Sequence, residues 1–440
     1  MHVFKRIEIK TLLLLIAMVT AFNEVTPDCF AADDIKKGEV LVVTVNGVIN
    51  PVSAEFIHRE LEKAAAAKSE ALIIELDTPG GLDTSMRSII KDIMGSGIPV
   101  VVYVSPAGAR AASAGVFITL AAHVAAMAPG TNIGAAHPVS VGGKMDKVMA
   151  EKATNDAAAY IKSIAEKRGR NAGWAENAVR SSISATEVEA LKTGIIDLVA
   201  EDLDSLLHAL DGRTVKVMAG EKKLYTSGAK VVKEQMGLRL RILNIISDPS
   251  IAYILMLLGF YGLFFELTNP GALLPGIIGA ISLVLAFYAF QTLPVNYAGL
   301  ILIVIGIILF LLEVKVASYG LLTVSGIVSL TLGSLMLFES SLPFLRVSLS
   351  IIIPATLVTA AFFVVTFRLA YSAHKRKPVT GGEGLVGLEG VTKTEVGPQG
   401  GVVRVHGEIW SAYSDEIIGR DEKVVVESLS GLKIRVKRYN

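Results

Sequence analysis

The stretch Gly108-Ala109-Arg110-Ala111-Ala112-Ser113-Ala114-Gly115 places one hydroxyl among residues that are too small to cover it. Glycines nearby permit a tight strand-to-helix turn and a close approach by a substrate backbone. Upstream, an apolar segment ending at Asp77 runs into the turn Thr78-Pro79-Gly80-Gly81. Successive glycines expose backbone N–H groups of the kind that an oxyanion hole uses. Taken alone, the Ser113 stretch would be interpreted as a turn of small residues that packs against a helix. Together with the glycine turn, it indicates that Ser113 is a nucleophile.

Apolar strands alternate with helices around these two stretches, which indicates a parallel sheet with right-handed crossovers. The predicted strands are Val40–Val45, Ala71–Leu76, Val100–Val104 and Ala125–Ala128. The predicted helices are Ser53–Ala67, Thr84–Met94, Ser113 to about His123, Met149–Arg168 and Ser184–Gly194. Residues 213–248 are mixed in charge and predict a polar connector without assigned elements.

The pairing of Thr78-Pro79-Gly80-Gly81 with Ala111-Ala112-Ser113-Ala114-Gly115 resembles the ClpP and signal-peptide-peptidase superfamily of serine proteases. The whole chain resembles the long form of the NfeD family. That resemblance implies an α/β ClpP/crotonase-like protease domain at residues 32–212, after a signal peptide at 1–31. It also implies a transmembrane bundle of about five helices at 249–372, a small all-β OB-fold domain at 380–440, and assembly as a homo-oligomer.

The region after the connector is strongly apolar, and the chain's mean hydropathy of +0.55 is too high for an ordinary soluble protein. Its five apolar runs each approach the length that spans a bilayer: 250–267, 271–290, 297–313, 318–338 and 347–370. The pattern from Gly259 to Glu266 recurs from Gly306 to Glu313, which indicates a duplicated helical hairpin. For both acids, a solvated role at the membrane surface is favoured over a functional one.

The two ends of the chain predict its orientation. Lys5, Arg6 and Lys10 precede a short apolar core, Leu12–Phe22, as in a secretory signal, with an uncleaved anchor as the alternative. The cluster His374-Lys375-Arg376-Lys377 favours a cytoplasmic side after the last span. We therefore expect a multi-pass protein of the cell (inner) membrane, with the protease domain extracytoplasmic and the OB-fold domain cytoplasmic. The single cysteine, Cys29, excludes an intramolecular disulfide.

Two residues are candidates for the base that a serine nucleophile needs. The NfeD resemblance implies a Ser-Lys dyad of Ser113 and Lys152, where alanine-rich surroundings would favour the neutral lysine. The ClpP resemblance implies His137 instead, because ClpP uses a Ser-His-Asp triad and its histidine falls at about this point. Gly80, Gly81 and Ala114 are the expected oxyanion donors. No cofactor or metal is expected.

The C-terminal segment predicts short strands at regular spacing, and Glu408-Ile409-Trp410-Ser411-Ala412 resembles the NfeD-type OB-fold signature. A net charge of +1 and the lack of alternating aromatic and basic residues disfavour nucleic acid. We therefore expect a membrane-anchored serine endopeptidase that contacts lipid and cleaves apolar segments, with a stomatin-like membrane protein implied as substrate or partner. The alternatives are a non-catalytic membrane scaffold and a crotonase-like acyl-CoA enzyme, the latter disfavoured by secretion.

Overall fold

The computed structural model describes residues 38–140, 146–268, 271, 273–316, 318, 320–338, 340, 345–374 and 382–439. The predicted signal segment with Cys29 and the Lys375-Arg376-Lys377 cluster lie outside the described residues. The chain forms two compact units. One contains the residues up to Ile307 together with Val328–Pro354, and the other contains Ile308–Ile327 together with the residues from Ala355 onward.

The first part of the chain is an α/β domain, as predicted. Its strands are β1 Glu39–Asn46, β2 Ala71–Asp77, β3 Val100–Val104, β4 Arg110–Ala112, β5 Val124–Met127, β6 Asn132–Gly134, β7 Ser184–Thr186, β8 Leu198–Val199, β9 Thr214–Val217, β10 Gly220–Lys223 and β11 Lys230–Glu234. Its helices are α1 Pro51–Ala66, α2 Asp83–Met94, α3 Ala114–Ala121, α4 Lys147–Arg168, α5 Ala172–Arg180, α6 Glu187–Lys192, α7 Leu203–Leu210 and α8 Leu238–Ile246.

Six strands form the central sheet in the order β11-β1-β2-β3-β5-β8, and every neighbouring pair is parallel. Alternate residues of a strand point to opposite faces. Leu41 and Ile74 therefore enter a core shared with α1 to α5, whereas Val42 and Ile73 enter a second core shared with α7. Both faces are covered, which is why these strands are continuous apolar runs.

Helix α1 begins at Pro51, two residues before the predicted start. The Asn50 side chain accepts a hydrogen bond from the Ser53 amide, and the Ser53 side chain accepts one from the Asn50 amide. This capping box starts the helix at a proline, a residue that suits the first helical position. The predicted helix Ser184–Gly194 is instead strand β7 followed by α6, capped reciprocally by Thr186 and Glu189.

Part of the predicted connector belongs to the central sheet. Strand β11 pairs in parallel with β1, and the hairpin β9–β10 and helix α8 also lie within residues 213–248. Ion pairs join this edge to the rest of the domain, with Lys63 to Glu234 at 2.6 Å and Lys230 to Glu39 at 2.9 Å. Lysines beside a short apolar core are typical of an edge strand, which explains its weak sequence signal.

The apolar region forms helices α9 Pro249–Thr268, α10 Leu273–Phe290, α11 Tyr297–Lys315, α12 Leu321–Met336 and α13 Leu349–His374. Among the described residues, α9 and α10 are long and apolar enough to cross a membrane, and the other three carry shorter apolar stretches. Glycines let α9 and α10 approach closely, since a Cβ atom on Gly262 would lie 2.7 Å from the Cα of Gly279.

The acid at the end of α11 caps the next helix. The Glu313 carboxylate accepts hydrogen bonds from Ser318 Oγ at 2.6 Å and from the amides of Gly320 at 3.1 Å and Thr323 at 2.9 Å. In the first hairpin, Glu266 lies against Gly276, the counterpart of Thr323 in the repeat. Glu313 is part-exposed at the end of α11, and it supplies charge where α12 begins and its amides lack partners.

The C-terminal domain begins with a short helix, α14 Gly382–Leu385, followed by five strands. They are β12 Glu389–Thr392, β13 Gly401–Val405, β14 Glu408–Tyr413, β15 Lys423–Ser430 and β16 Lys433–Arg438. They close into a barrel in the order β12-β13-β14-β16-β15, with β14 and β16 parallel. This is the arrangement of a five-stranded OB-fold, so the predicted fold is confirmed.

Candidate active site

Ser113 lies at a strained junction between strand β4 and helix α3. Its φ of 52° and ψ of −112° are rare for a residue with a side chain. Two contacts over-determine this backbone: the Ser113 amide donates to the Gly134 carbonyl at 3.2 Å, and β4 pairs in parallel with β6. Strain of this kind concentrates at functional sites. The Ser113 side chain is half-buried at the carboxyl edge of the central sheet.

The turn Thr78-Pro79-Gly80-Gly81 lies directly beside the serine. A Cβ atom on Gly80, whose φ is +125°, would lie 2.7 Å from Ser113 Cβ and 3.1 Å from its Oγ. Gly115, in the first turn of α3, is equally confined, because its Cβ atom would lie 2.6 Å from Thr78 Cγ2. Glycine at these positions lets the turn and the serine come into contact.

The two glycines differ as oxyanion donors. The Gly80 amide already donates to the buried Thr78 hydroxyl at 3.0 Å. Ile49 bonds to the residues on either side of Gly81, through the Gly80 carbonyl at 2.9 Å and the Leu82 amide at 2.8 Å. In a parallel ladder this pattern directs the Gly81 amide away from Ile49. The Gly81 amide is thus not used in the pairing with Ile49, and the Ala114 amide lies in the first turn of α3, where helix amides lack intrahelical partners.

Lys152 lies near the start of α4, and its side chain is exposed. The sequence argument expected burial among alanines. Ala157 and Ala158 are buried, but they lie on the face of α4 that packs into the core, whereas Lys152 faces outward. The structure thus does not desolvate the amine within this single chain, because the alanines contribute to packing instead.

Helix α4 is anchored to both helices that begin at the site. Arg87 of α2 pairs with Asp156 at 2.5 Å and lies 4.4 Å over the ring of Tyr160. Phe117 of α3 stacks on Tyr160, with ring centroids 6.1 Å apart. Lys152 is one helical turn, about 6 Å, before Asp156. The position of the lysine is therefore set by residues for which the sequence analysis assigned no role.

His137, the alternative base, follows the strand that supports Ser113. Its Nδ1 lies 2.9 Å from the Val179 carbonyl, which can only accept, so Nδ1 is the donor of this hydrogen bond. The ring is exposed. The hydrogen bond orients the ring, and His137 stays the alternative candidate for the base.

The sequence analysis also missed Thr78. It quoted the residue as part of the glycine turn, but gave it no function. Thr78 is fully buried, and its hydroxyl bonds to both the amide and the carbonyl of Gly80. Within the described residues, no group of three or more His, Cys, Asp or Glu side chains could hold a metal ion.

Comparisons with known proteins cover most of the chain. Three family descriptions match: "NfeD1b, N-terminal domain" at residues 39–217, "NfeD integral membrane domain" at 250–369 and "NfeD-like C-terminal, partner-binding domain" at 382–438. Membrane-bound protease PH1510 of Pyrococcus horikoshii is 36% identical over 424 residues, covering 93% of this chain and 95% of the relative. Membrane protein NfeD1b of Bacillus subtilis is 30% identical over 421 residues, covering 91% of this chain and 93% of the relative.

The solved structures that match include the 1510-N membrane protease of Pyrococcus horikoshii, described as specific for a stomatin homologue. The two sequences are 37% identical, the alignment covers 48% of this chain and 99% of the solved chain, and the TM-score is 0.43.

Proposed function

The chain belongs to the NfeD family and is a membrane-bound serine protease, and we propose that Ser113 is its nucleophile and Lys152 its general base. The observation that carries the proposal is the strained backbone of Ser113, which holds its side chain against the glycine turn. A serine on such a turn presents its Oγ at the edge of the sheet, where a peptide can reach it.

In the proposed reaction, Ser113 Oγ attacks the carbonyl carbon of the scissile peptide bond while Lys152 Nζ takes the hydroxyl proton. The amides of Gly81 and Ala114 hold the oxyanion that develops. Lys152 then gives its proton to the leaving amine, and water releases the acyl group from Ser113 by the reverse sequence.

A lysine accepts a proton only when it is neutral, and an exposed amine favours its charged form. We propose that a bound substrate, or a second copy of the chain in a homo-oligomer, covers Lys152 in the active state. This accounts for its exposure in a single chain, and it makes the lysine a base only once its side chain is covered.

The proposed substrate is an apolar segment of a membrane-associated protein. The family resemblance implies a stomatin-like protein, and the matched description of the barrel as partner-binding supports a role for that domain in bringing the partner. We further propose the orientation expected from the sequence, with the protease domain outside the cytoplasm and the barrel inside, in the inner membrane.

Single substitutions test the assignment of the base. Ser113→Ala and Lys152→Ala should each abolish cleavage of an apolar peptide, and the double variant should be no worse than either, because a dyad acts as a unit. Lys152→Arg should also be inactive, since a guanidinium keeps its proton. His137→Ala should retain most activity. An active Lys152→Ala protein beside an inactive but folded His137→Ala protein would assign the base to His137.

A further inference from the structure

Helix α8 exposes an apolar stripe. Leu238, Ile242 and Ile245 are 74%, 45% and 53% exposed, and their spacing places them on one face of the helix. We call these three residues the α8 stripe. Three large apolar side chains in a row on a solvent-facing helix surface indicate a contact that is missing from a single chain in water.

The opposite face of α8 is already used by the protease domain. Leu240 is 3% exposed and belongs to the main core, against which Leu243 also packs. Two exposed arginines flank the α8 stripe, with Arg241 on one side and Arg239, 3.9 Å from Glu55, on the other. An apolar face bordered by basic residues is typical of a helix that lies in a membrane surface, where arginines reach the headgroups.

The position of α8 in the chain indicates what the α8 stripe contacts. The helix ends at Ile246, and the apolar helix α9 begins at Pro249, with Asp248 accepting from the Ser250 amide at 2.8 Å between them. The stripe thus lies at the entrance to a membrane-spanning segment. We propose that the α8 stripe is buried in the lipid at the bilayer surface, with Arg239 and Arg241 reaching the lipid phosphates.

Contacts run from α8 to the candidate active site. Asn50 Nδ2 donates to Asn244 Oδ1 at 2.9 Å, and the neighbouring Ile49 holds the Gly80–Gly81 turn through its backbone. A cleft of about 210 Å³ lies at this junction, lined by Asn46, Leu82, Asp248 and Leu293 among others. Resting on the function proposed above, these contacts would let the active site receive apolar segments at the bilayer surface.

Spin-label accessibility tests the lipid contact without using activity. In full-length protein with Cys29→Ser, a nitroxide is attached at Ile242→Cys or, as the control, at Met218→Cys, which is 78% exposed. Met218 bonds to Ser96, before β3 and away from the carboxyl edge. In phosphatidylcholine–phosphatidylglycerol vesicles, the label at 242 should be more accessible to oxygen than to a water-soluble nickel complex, and the control should show the reverse. Equal water accessibility at both positions would overturn the proposal.

A pair of substrates tests the consequence for cleavage. Ile242→Asp should lower the cleavage of an apolar segment anchored in vesicles several-fold and leave cleavage of the same segment as a soluble peptide unchanged, whereas Ile242→Leu should leave both unchanged. Unchanged cleavage of the anchored segment by Ile242→Asp would contradict the link to substrate. Failure of the wild-type protein to cleave either form would instead contradict the proposed function, since the accessibility result stands apart from it.

Discussion

Gly80 and Ser113 are in direct contact in the candidate site, where a Cβ atom on the glycine would lie 2.7 Å from the Cβ atom of the serine. Neither residue can move aside easily. Gly80 is tied to Thr78 and Ile49, and Ser113 is tied to Gly134. The hydroxyl is therefore positioned by the absence of a side chain on its neighbour.

Gly80→Ala should consequently inactivate the protease by displacing Ser113. Gly220→Ala is the matched control, because Gly220 has a similar φ of +122° but nothing within 4 Å of its Cβ position. Both variants carry the backbone strain of alanine at positive φ, but only in Gly80→Ala does the new Cβ atom collide with Ser113. Peptide cleavage together with thermal unfolding would separate the two effects. If the two variants lost the same activity, strain rather than the contact with Ser113 would be responsible.

The Arg87–Asp156 pair should affect catalysis more than stability. The Asp156 side chain is 69% exposed, and exposed pairs contribute little to folding, about 0–1 kcal/mol. If the pair positions Lys152, Asp156→Asn should lower kcat several-fold with little change in KM. Lys162→Met, which breaks an exposed pair with Glu176 farther along α4, is the control and should leave both constants unchanged. If Asp156→Asn kept the wild-type kcat, the proposal that the pair positions Lys152 would be wrong.

The buried pair of Arg170 and Asp197 should be important for stability. Arg170 is 7% exposed, pairs with Asp197 at 2.5 Å, and donates to the carbonyls of Leu120 and Ala122 at the end of α3. Arg170→Met should cost about 3 kcal/mol, since it removes the cation that pairs with Asp197 and the donor to two carbonyls at the end of α3. Arg180→Met, at an exposed pair, should cost less than about 1 kcal/mol. Chemical denaturation would measure both, and equal losses would contradict the assignment.

His123 should make the folded state sensitive to acid. Burial, assisted by the charges of Arg168 and Arg170, lowers the pKa of His123 from 6.5 to about 3. Between these values the unfolded chain binds a proton that the folded chain does not, so stability falls as the pH falls from about 6.5 to about 3.

His123→Asn should make stability less dependent on pH in that range, because asparagine keeps an acceptor for the Val100 amide and does not titrate. Unfolding curves at several pH values would measure the slope for the two proteins. An unchanged slope would show that other groups dominate the acid response.

The sequence revealed those elements whose signal is local. Runs of β-branched residues such as Val100–Val104 identified strands with the bounds observed, and the quoted turn and serine stretch do lie in contact. Strand β11 was not predicted because its two valines lie between lysines. Its partner is β1, which lies at the other end of the domain in sequence.

Side-chain roles that depend on distant partners could not be predicted. The contact between Arg87 and Asp156 joins residues 69 positions apart, and nothing in either local sequence indicates it. The exposure of Lys152 was missed for a related reason, since composition shows that alanines are present but not which face of a helix they occupy. Which of Lys152 and His137 is the base stays a prediction.

The cap formed by Glu313 has a consequence for biogenesis. Moving an unpaired carboxylate into lipid costs free energy, and so does moving the unpaired amides at the start of a helix. Within this hairpin the Glu313 carboxylate and the amides near the start of α12 bond to each other, which lowers both costs. Helices α11 and α12 can therefore leave the insertion machinery as a pair, with the Gly320 and Thr323 amides already bonded to Glu313. In this geometry, Glu313 is part of the cap with which α12 enters the membrane.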